Sequence, residues 1–134
     1  MKIKKTKAFN ASVDVVWDAI TDEKKLSEWF MKARFQPEVG YQFEFQDTPR
    51  GKWDGRLWGE VLVVEPLQRL SYTWMGNQMK HNTQVTWVLK PTVSGTELTL
   101  EHIGFKGFGD HVIGFFHLLG WRQYLRGLTN FLRS

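Results

Sequence analysis

The chain has 134 residues, a net charge of +4 and no cysteine. That length fits one domain spanning 1–134, and the missing thiols exclude a disulfide framework and a thiolate metal site. No stretch approaches the roughly 18 apolar residues of a membrane span. The basic N-terminus, MKIKKTKAF, lacks the apolar run of a signal peptide, so the expected location is cytoplasmic with no membrane partner. Seven Trp, ten Phe and three Tyr make up 15% of the chain. So many flat side chains point either to interleaved core packing or to the lining of a cavity that a ligand completes.

Residues 2–9 alternate with Ile3 and Phe9 in phase and predict a first strand. Asn10-Ala-Ser12 offers cap chemistry for a helix whose Val13, Val16, Trp17 and Ile20 recur at helical spacing. A second short helix follows, with Thr21 as its expected cap and Leu26, Trp29 and Phe30 on one face. Each is about two turns long and must pack on something to persist. Beyond residue 33 the period becomes two. Tyr41, Phe43 and Phe45 alternate with Gln42, Glu44 and Gln46. Residues 47–56 (DTPRGKWDGR) carry turn signals and predict a loop or a hairpin end. Residues 57–65 are apolar on both faces, which leaves the phase of that strand open. Leu70, Tyr72 and Trp74 alternate in the next strand, then Val85, Trp87 and Leu89, then Leu98, Leu100 and His102.

Successive short strands joined by turns predict an antiparallel meander of about six strands with one aromatic face. Residues 109–133 supply a helical cover without proline. Its apolar face changes side: Val112, Phe115, Phe116 and Leu119 share one, and Trp121, Leu125, Leu128 and Leu132 the other. That pattern suits a helix gripped by a curved sheet, or one broken near Gly114 or Gly120. The expected fold class is α+β, with the sheet wrapped around the C-terminal helix and two short helices after the first strand.

The ordered segments VWDAITDEKKLSEWF (16–30), GYQFEF (40–45), GEVLVVEPLQRLSYTW (59–74), VTWVLKP (85–91), GTELTLEHIGF (95–105) and GWRQYLRGL (120–128) cover nearly the whole chain. Together they resemble the helix-grip domains of the START, polyketide-cyclase and birch-pollen-allergen (SRPBCC) superfamily. Within it, the likeness is to the branch named for activators of heat-shock protein 90 ATPase. The resemblance implies an apolar cavity between sheet and long helix. It fixes no single chemistry, because relatives include lipid carriers, cyclases and chaperone activators.

Strand phase sends Phe43, Phe45, Tyr72, Trp74, Val85, Trp87, Leu98 and Leu100 toward the helix, with Trp29 joining them. Phe115, Phe116 and Leu119, or else Trp121 and Leu125, should face them, the first set placing the pocket over the first half of the helix. Rings with few titrating groups suit a hydrophobic small molecule, aromatic, lipid-like or polyketide-like; a dry core would show the same alternation. His102 should point inward near its strand's end, as a ligand anchor, an acid–base group or a satisfied structural imidazole. Glu60 is a second acid–base candidate if its strand turns it inward. Those two residues carry the alternative of a cyclase or hydratase-type enzyme. A chaperone partner is a third reading, resting on the resemblance.

No cofactor is implied, and the four histidines show no metal-ligand spacing. There is no Gly-x-Ser-x-Gly for nucleophilic catalysis. The run Gly104–Gly109 reads as a flexible mouth rather than a phosphate cradle. The basic residues are scattered. Lys2, Lys4, Lys5 and Lys7 suit protection of an edge strand, and Arg122, Arg126 and Arg133 suit a helix C-terminus, so no nucleic-acid partner is expected.

Overall fold

A computed structural model describes residues 1–133. The element order is β1 (Ile3–Phe9), α1 (Val13–Thr21), α2 (Glu23–Trp29), β2 (Lys32–Arg34), β3 (Gln42–Gln46), β4 (Arg56–Glu65), β5 (Arg69–Gly76), β6 (Thr83–Thr92), β7 (Gly95–Ile103) and α3 (Gly107–Arg133). The strands form one antiparallel sheet in the order β1-β7-β6-β5-β4-β3-β2. The extra strand relative to the expected number is β2, three residues without a readable period, paired through Ala33 with Phe45. No helix among the described residues is long and apolar enough to cross a membrane.

The period-two pattern sets which side chains enter the core. Cross-strand pairs Leu70–Trp87, Tyr72–Val85, Trp87–Leu100 and Val85–His102 lie side by side on the concave face. All six of these residues are buried. In β4 the register slips between Val61 and Val63. That bulge resolves the open phase: Leu57 and Val61 point inward, and beyond the extra residue it is Val64 that packs against the core. Glu60, before the bulge, is exposed on the outer face.

Asp22, rather than Thr21, caps α2, its carboxylate accepting from the Lys25 amide at 3.0 Å. The Thr21 hydroxyl instead donates back to the Trp17 carbonyl and closes α1. α3 runs unbroken through Gly114 and Gly120. Its second half is gripped, with Trp121, Leu125 and Leu128 buried against the sheet. Its first half is turned outward on the opposite side: Phe115 is 53% exposed, Phe116 65% and Leu119 42%. Of the two alternatives for the face toward the sheet, the set Phe115, Phe116 and Leu119 is therefore corrected, and Trp121 and Leu125 meet the sheet. The change of apolar face read from the sequence separates a gripped half from a half that borders open space.

Candidate functional site

Most of the inward-facing rings fill the interior themselves. The centroids of Phe43 and Phe45 lie 4.8 Å apart, and those of Phe43 and Tyr72 4.9 Å apart. Phe35 stacks on Phe45. The polar handles of this cluster are used internally. The Trp29 indole donates to the Ala19 carbonyl at 2.7 Å, and the Trp87 indole donates to the Tyr72 hydroxyl at 2.8 Å. Burial pushes the Tyr72 phenol well above its ordinary pKa, so it stays a neutral acceptor. Trp29, Phe43, Phe45, Tyr72, Trp87 and Leu100 thus lie behind the open space rather than on its border.

The open space is a cavity of about 660 Å³ at the other end of the sheet. Leu57, Trp74 and Gly76 form its floor, and Met31 and Met79 flank it. α3 contributes Ile113, Phe116, His117, Gly120, Trp121 and Tyr124 as one wall. The opposite lip is the loop between β3 and β4, through Arg50, Gly51, Lys52 and Trp53. This loop has a defined shape. Arg50 and Trp53 exchange both backbone hydrogen bonds, and the Trp53 indole donates to the Arg56 carbonyl at 3.1 Å. Its base is tied to α3 by the Tyr124 hydroxyl, which donates to the Asp47 carboxylate. Burial, then the bond to Asp47, holds that phenol protonated well beyond the ordinary range.

Two histidines stand at the back of this cavity, and their neighbours settle their tautomers. An indole N–H only donates. The Trp121 indole therefore meets a bare Nδ1 of His102, at 3.0 Å. His102 Nε2 carries the proton and donates to Thr83 Oγ1 at 2.7 Å, while the Thr83 hydroxyl donates on to the Trp74 carbonyl. At His117 the order is reversed: Nε2 accepts from the Trp74 indole at 3.0 Å, and Nδ1 donates to the Ile113 carbonyl at 2.9 Å. Burial lowers the pKa of both; for His102 it falls well below the usual imidazole value, with the nearby His117 adding a smaller effect. The two rings are 5.2 Å apart, both neutral, with every ring nitrogen engaged.

Of the sequence-derived candidates, the fold brings Trp74, Phe116 and Leu119 to the cavity. Phe115 points away from it. His102 is fully buried behind Trp121, and Glu60 is on the outer face, so neither acid–base candidate reaches the cavity. Gly104–Gly109 does not border it either; Phe105 from that segment packs on His102 and His117, at 4.6 and 5.2 Å. Sequence reasoning missed Trp53, Met79, His117, Gly120 and Tyr124. One signal was available: Trp53 is a large ring in a polar turn segment, with no strand phase to bury it. No cluster of three histidine, aspartate or glutamate side chains placed to hold a metal ion occurs among the described residues.

With this geometry in view, the comparisons with known proteins are specific. Residues 10–133 match the family described as activator of Hsp90 ATPase homolog 1-like protein. The solved structure of protein MLL2253 from Mesorhizobium loti is 30% identical and superposes with a TM-score of 0.88, over 99% of this chain and 97% of that one. CalU16 from Micromonospora echinospora is 27% identical, with a TM-score of 0.79 over 98% of this chain and 74% of that one. DynU16, from the dynemicin biosynthetic locus, is 26% identical with a TM-score of 0.83, and this chain spans 47% of its length. Among curated proteins none matches this chain. A seven-stranded sheet gripping a long C-terminal helix, a family match over residues 10–133 and a solved relative superposing end to end place the chain in the activator of Hsp90 ATPase homolog 1-like family of the SRPBCC superfamily.

Proposed function

We propose that this chain binds a hydrophobic, ring-bearing small molecule in the cavity between the 50–53 loop, the floor of β4 and β5, and the middle of α3, from Ile113 to Tyr124. The observation that carries this reading is that the domain already has a dry aromatic core, yet leaves Trp53, Trp74, Trp121 and Met79 around about 660 Å³ of open space. Apolar walls with a few polar groups at the rim suit recognition by shape and stacking. Arg50 and Lys52 are the charged residues of the lining, so an acceptor-bearing end of the ligand would sit at that lip. The relationship to a protein from a biosynthetic locus supports a small-molecule setting. With His102 and His117 both locked neutral, binding is favoured over proton-transfer chemistry at the cavity.

The test is thermal unfolding and tryptophan emission during titration with 2-naphthoate, 2-naphthylmethanol and decanoate. A ligand at about 100 times its Kd stabilises the fold by about 2.7 kcal/mol. The emission should move with it, because three indoles line the site. No change with any of the three compounds up to their solubility limits would remove the reading.

A second reading, docking to a chaperone, draws support from the exposed side chains of Phe108, Val112, Phe115 and Phe116 along one flank of α3. It predicts that this protein raises the ATPase rate of purified Hsp90, and that Phe115→Ser with Phe116→Ser abolishes the effect.

A further inference from the structure

A second groove lies between the edge strand β1 and α3, and it shares no lining residue with the apolar cavity. Lys5, Thr6, Lys7, Arg122, Leu125 and Arg126 line about 240 Å³ there. Strand phase explains how two lysines come to face a helix. Ile3 and Phe9 are buried on the concave side of β1, so Lys5 and Lys7, in the same phase and half-buried, point the same way. On α3, Arg122 and Arg126 are one turn apart and face them.

Four cations therefore converge on one groove with no acid to balance them. Among the described residues none of the four forms an ion pair. The nearest acids of the neighbouring strand face elsewhere: Glu97 and Glu101 pair with Ala8 and Lys4, which point outward, and Glu101 bonds Lys2. From residue 111 to its end α3 has no acidic residue. Lys7 is oriented by its bond to Thr129 Oγ1 at 3.1 Å, which leaves its charge uncompensated. Edge protection accounts for lysines on β1, but not for setting two of them opposite arginines. The helix dipole favours cations only within the last turn, which serves Arg133 and not Arg122 or Arg126. Like charges gathered on facing elements repel, and an anion between them removes the repulsion.

We infer that this groove is a binding site for a phosphate-type oxyanion. Two guanidinium groups one turn apart offer forked donors to its oxygens, and the two ammonium groups act as point charges on its far side. The shared chemistry is the phosphate group, carried either by a small soluble phosphate compound or by a lipid headgroup.

The experiment is an amide NMR titration of the full chain with inorganic phosphate and with pyrophosphate, at constant ionic strength against sodium chloride. Saturable shifts should concentrate at Lys5, Thr6, Lys7 and around Arg122 and Arg126, with pyrophosphate the tighter ligand. The variant Arg122→Gln with Arg126→Gln, altering two exposed side chains, should weaken binding by roughly tenfold or more. In phosphate-free buffer the same variant should melt higher than the parent, because repulsion is relieved. Phosphatidylcholine vesicles with and without phosphatidic acid separate the sources. Retention on phosphatidic acid vesicles, lost in the double variant, assigns a headgroup; binding of the soluble ions alone assigns a free phosphate compound. Absence of saturation in both arms, binding unchanged in the double variant, or tighter binding to an oligonucleotide with shifts spread over all basic residues would overturn the assignment.

Discussion

At the scale of single residues, the most constrained group is His102, with Trp121 donating to one nitrogen and Thr83 accepting from the other. Protonating it would set a ring N–H against an indole N–H, and the same holds for His117 against Trp74. Both folded pKa values lie below the ordinary 6.5. Below about 6.5 the unfolded chain therefore binds protons that the folded chain refuses. Stability is full above that value and falls as pH drops below it, by up to about 1.4 kcal/mol per pH unit for each histidine. Urea unfolding between pH 8 and pH 5 measures the slope. His117→Gln, which can still accept from Trp74 and donate to Ile113, should remove one histidine's share of it. Trp121→Phe leaves His102 Nδ1 buried without a donor and should lower stability by about 1–3 kcal/mol, read in the same melts. The inward direction of His102 was legible from its phase with Leu98 and Leu100. Its tautomer was not, because Trp121 and Thr83 are distant in sequence and meet it only in the fold.

At the scale of elements, the aromatic strands were legible because alternation over Phe43–Phe45, Leu70–Trp74 and Leu98–His102 has one consistent phase. β4 was not, because its bulge switches phase within a run that is apolar on both sides. One residue keeps β4 close to its neighbours. A Cβ at Gly59 would lie 2.0 Å from the Thr73 carbonyl oxygen and 2.8 Å from the Phe43 ring. Gly59→Ala should therefore cost at least about 1–3 kcal/mol, visible as a lower urea midpoint at unchanged slope. On α3 the two apolar faces were legible as a pattern, but the pattern left open which of them meets the sheet. The stripe ending in Leu119 was one of two candidates for the face toward the sheet, and it is the other, from Trp121 to Leu128, that the sheet grips. Helical spacing states that two faces exist; which is buried depends on where a curved sheet ends.

At the scale of the whole molecule, the position of the cavity follows from one long loop and one half-gripped helix. The 50–53 lip stands off the sheet because it closes on itself and is tied at its base to Tyr124 of α3. That tie joins positions 77 residues apart, and no local pattern announces it. Gly120 sits at the centre of this arrangement. It lines the cavity, and a Cβ there would meet only the Tyr124 ring, at 4.0 Å. A leucine in its place should stabilise the helix by about 0.5–1 kcal/mol, since glycine is a poor interior helix residue, while its side chain enters the open space.

The most direct measurement of the central claim is therefore a calorimetric titration of 2-naphthoate into the parent chain and into Gly120→Leu, with the thermal midpoint of each recorded alone. The account predicts that the parent binds, and that Gly120→Leu melts higher yet loses the binding. Binding that persists unchanged in a folded Gly120→Leu would place the ligand elsewhere and contradict the account.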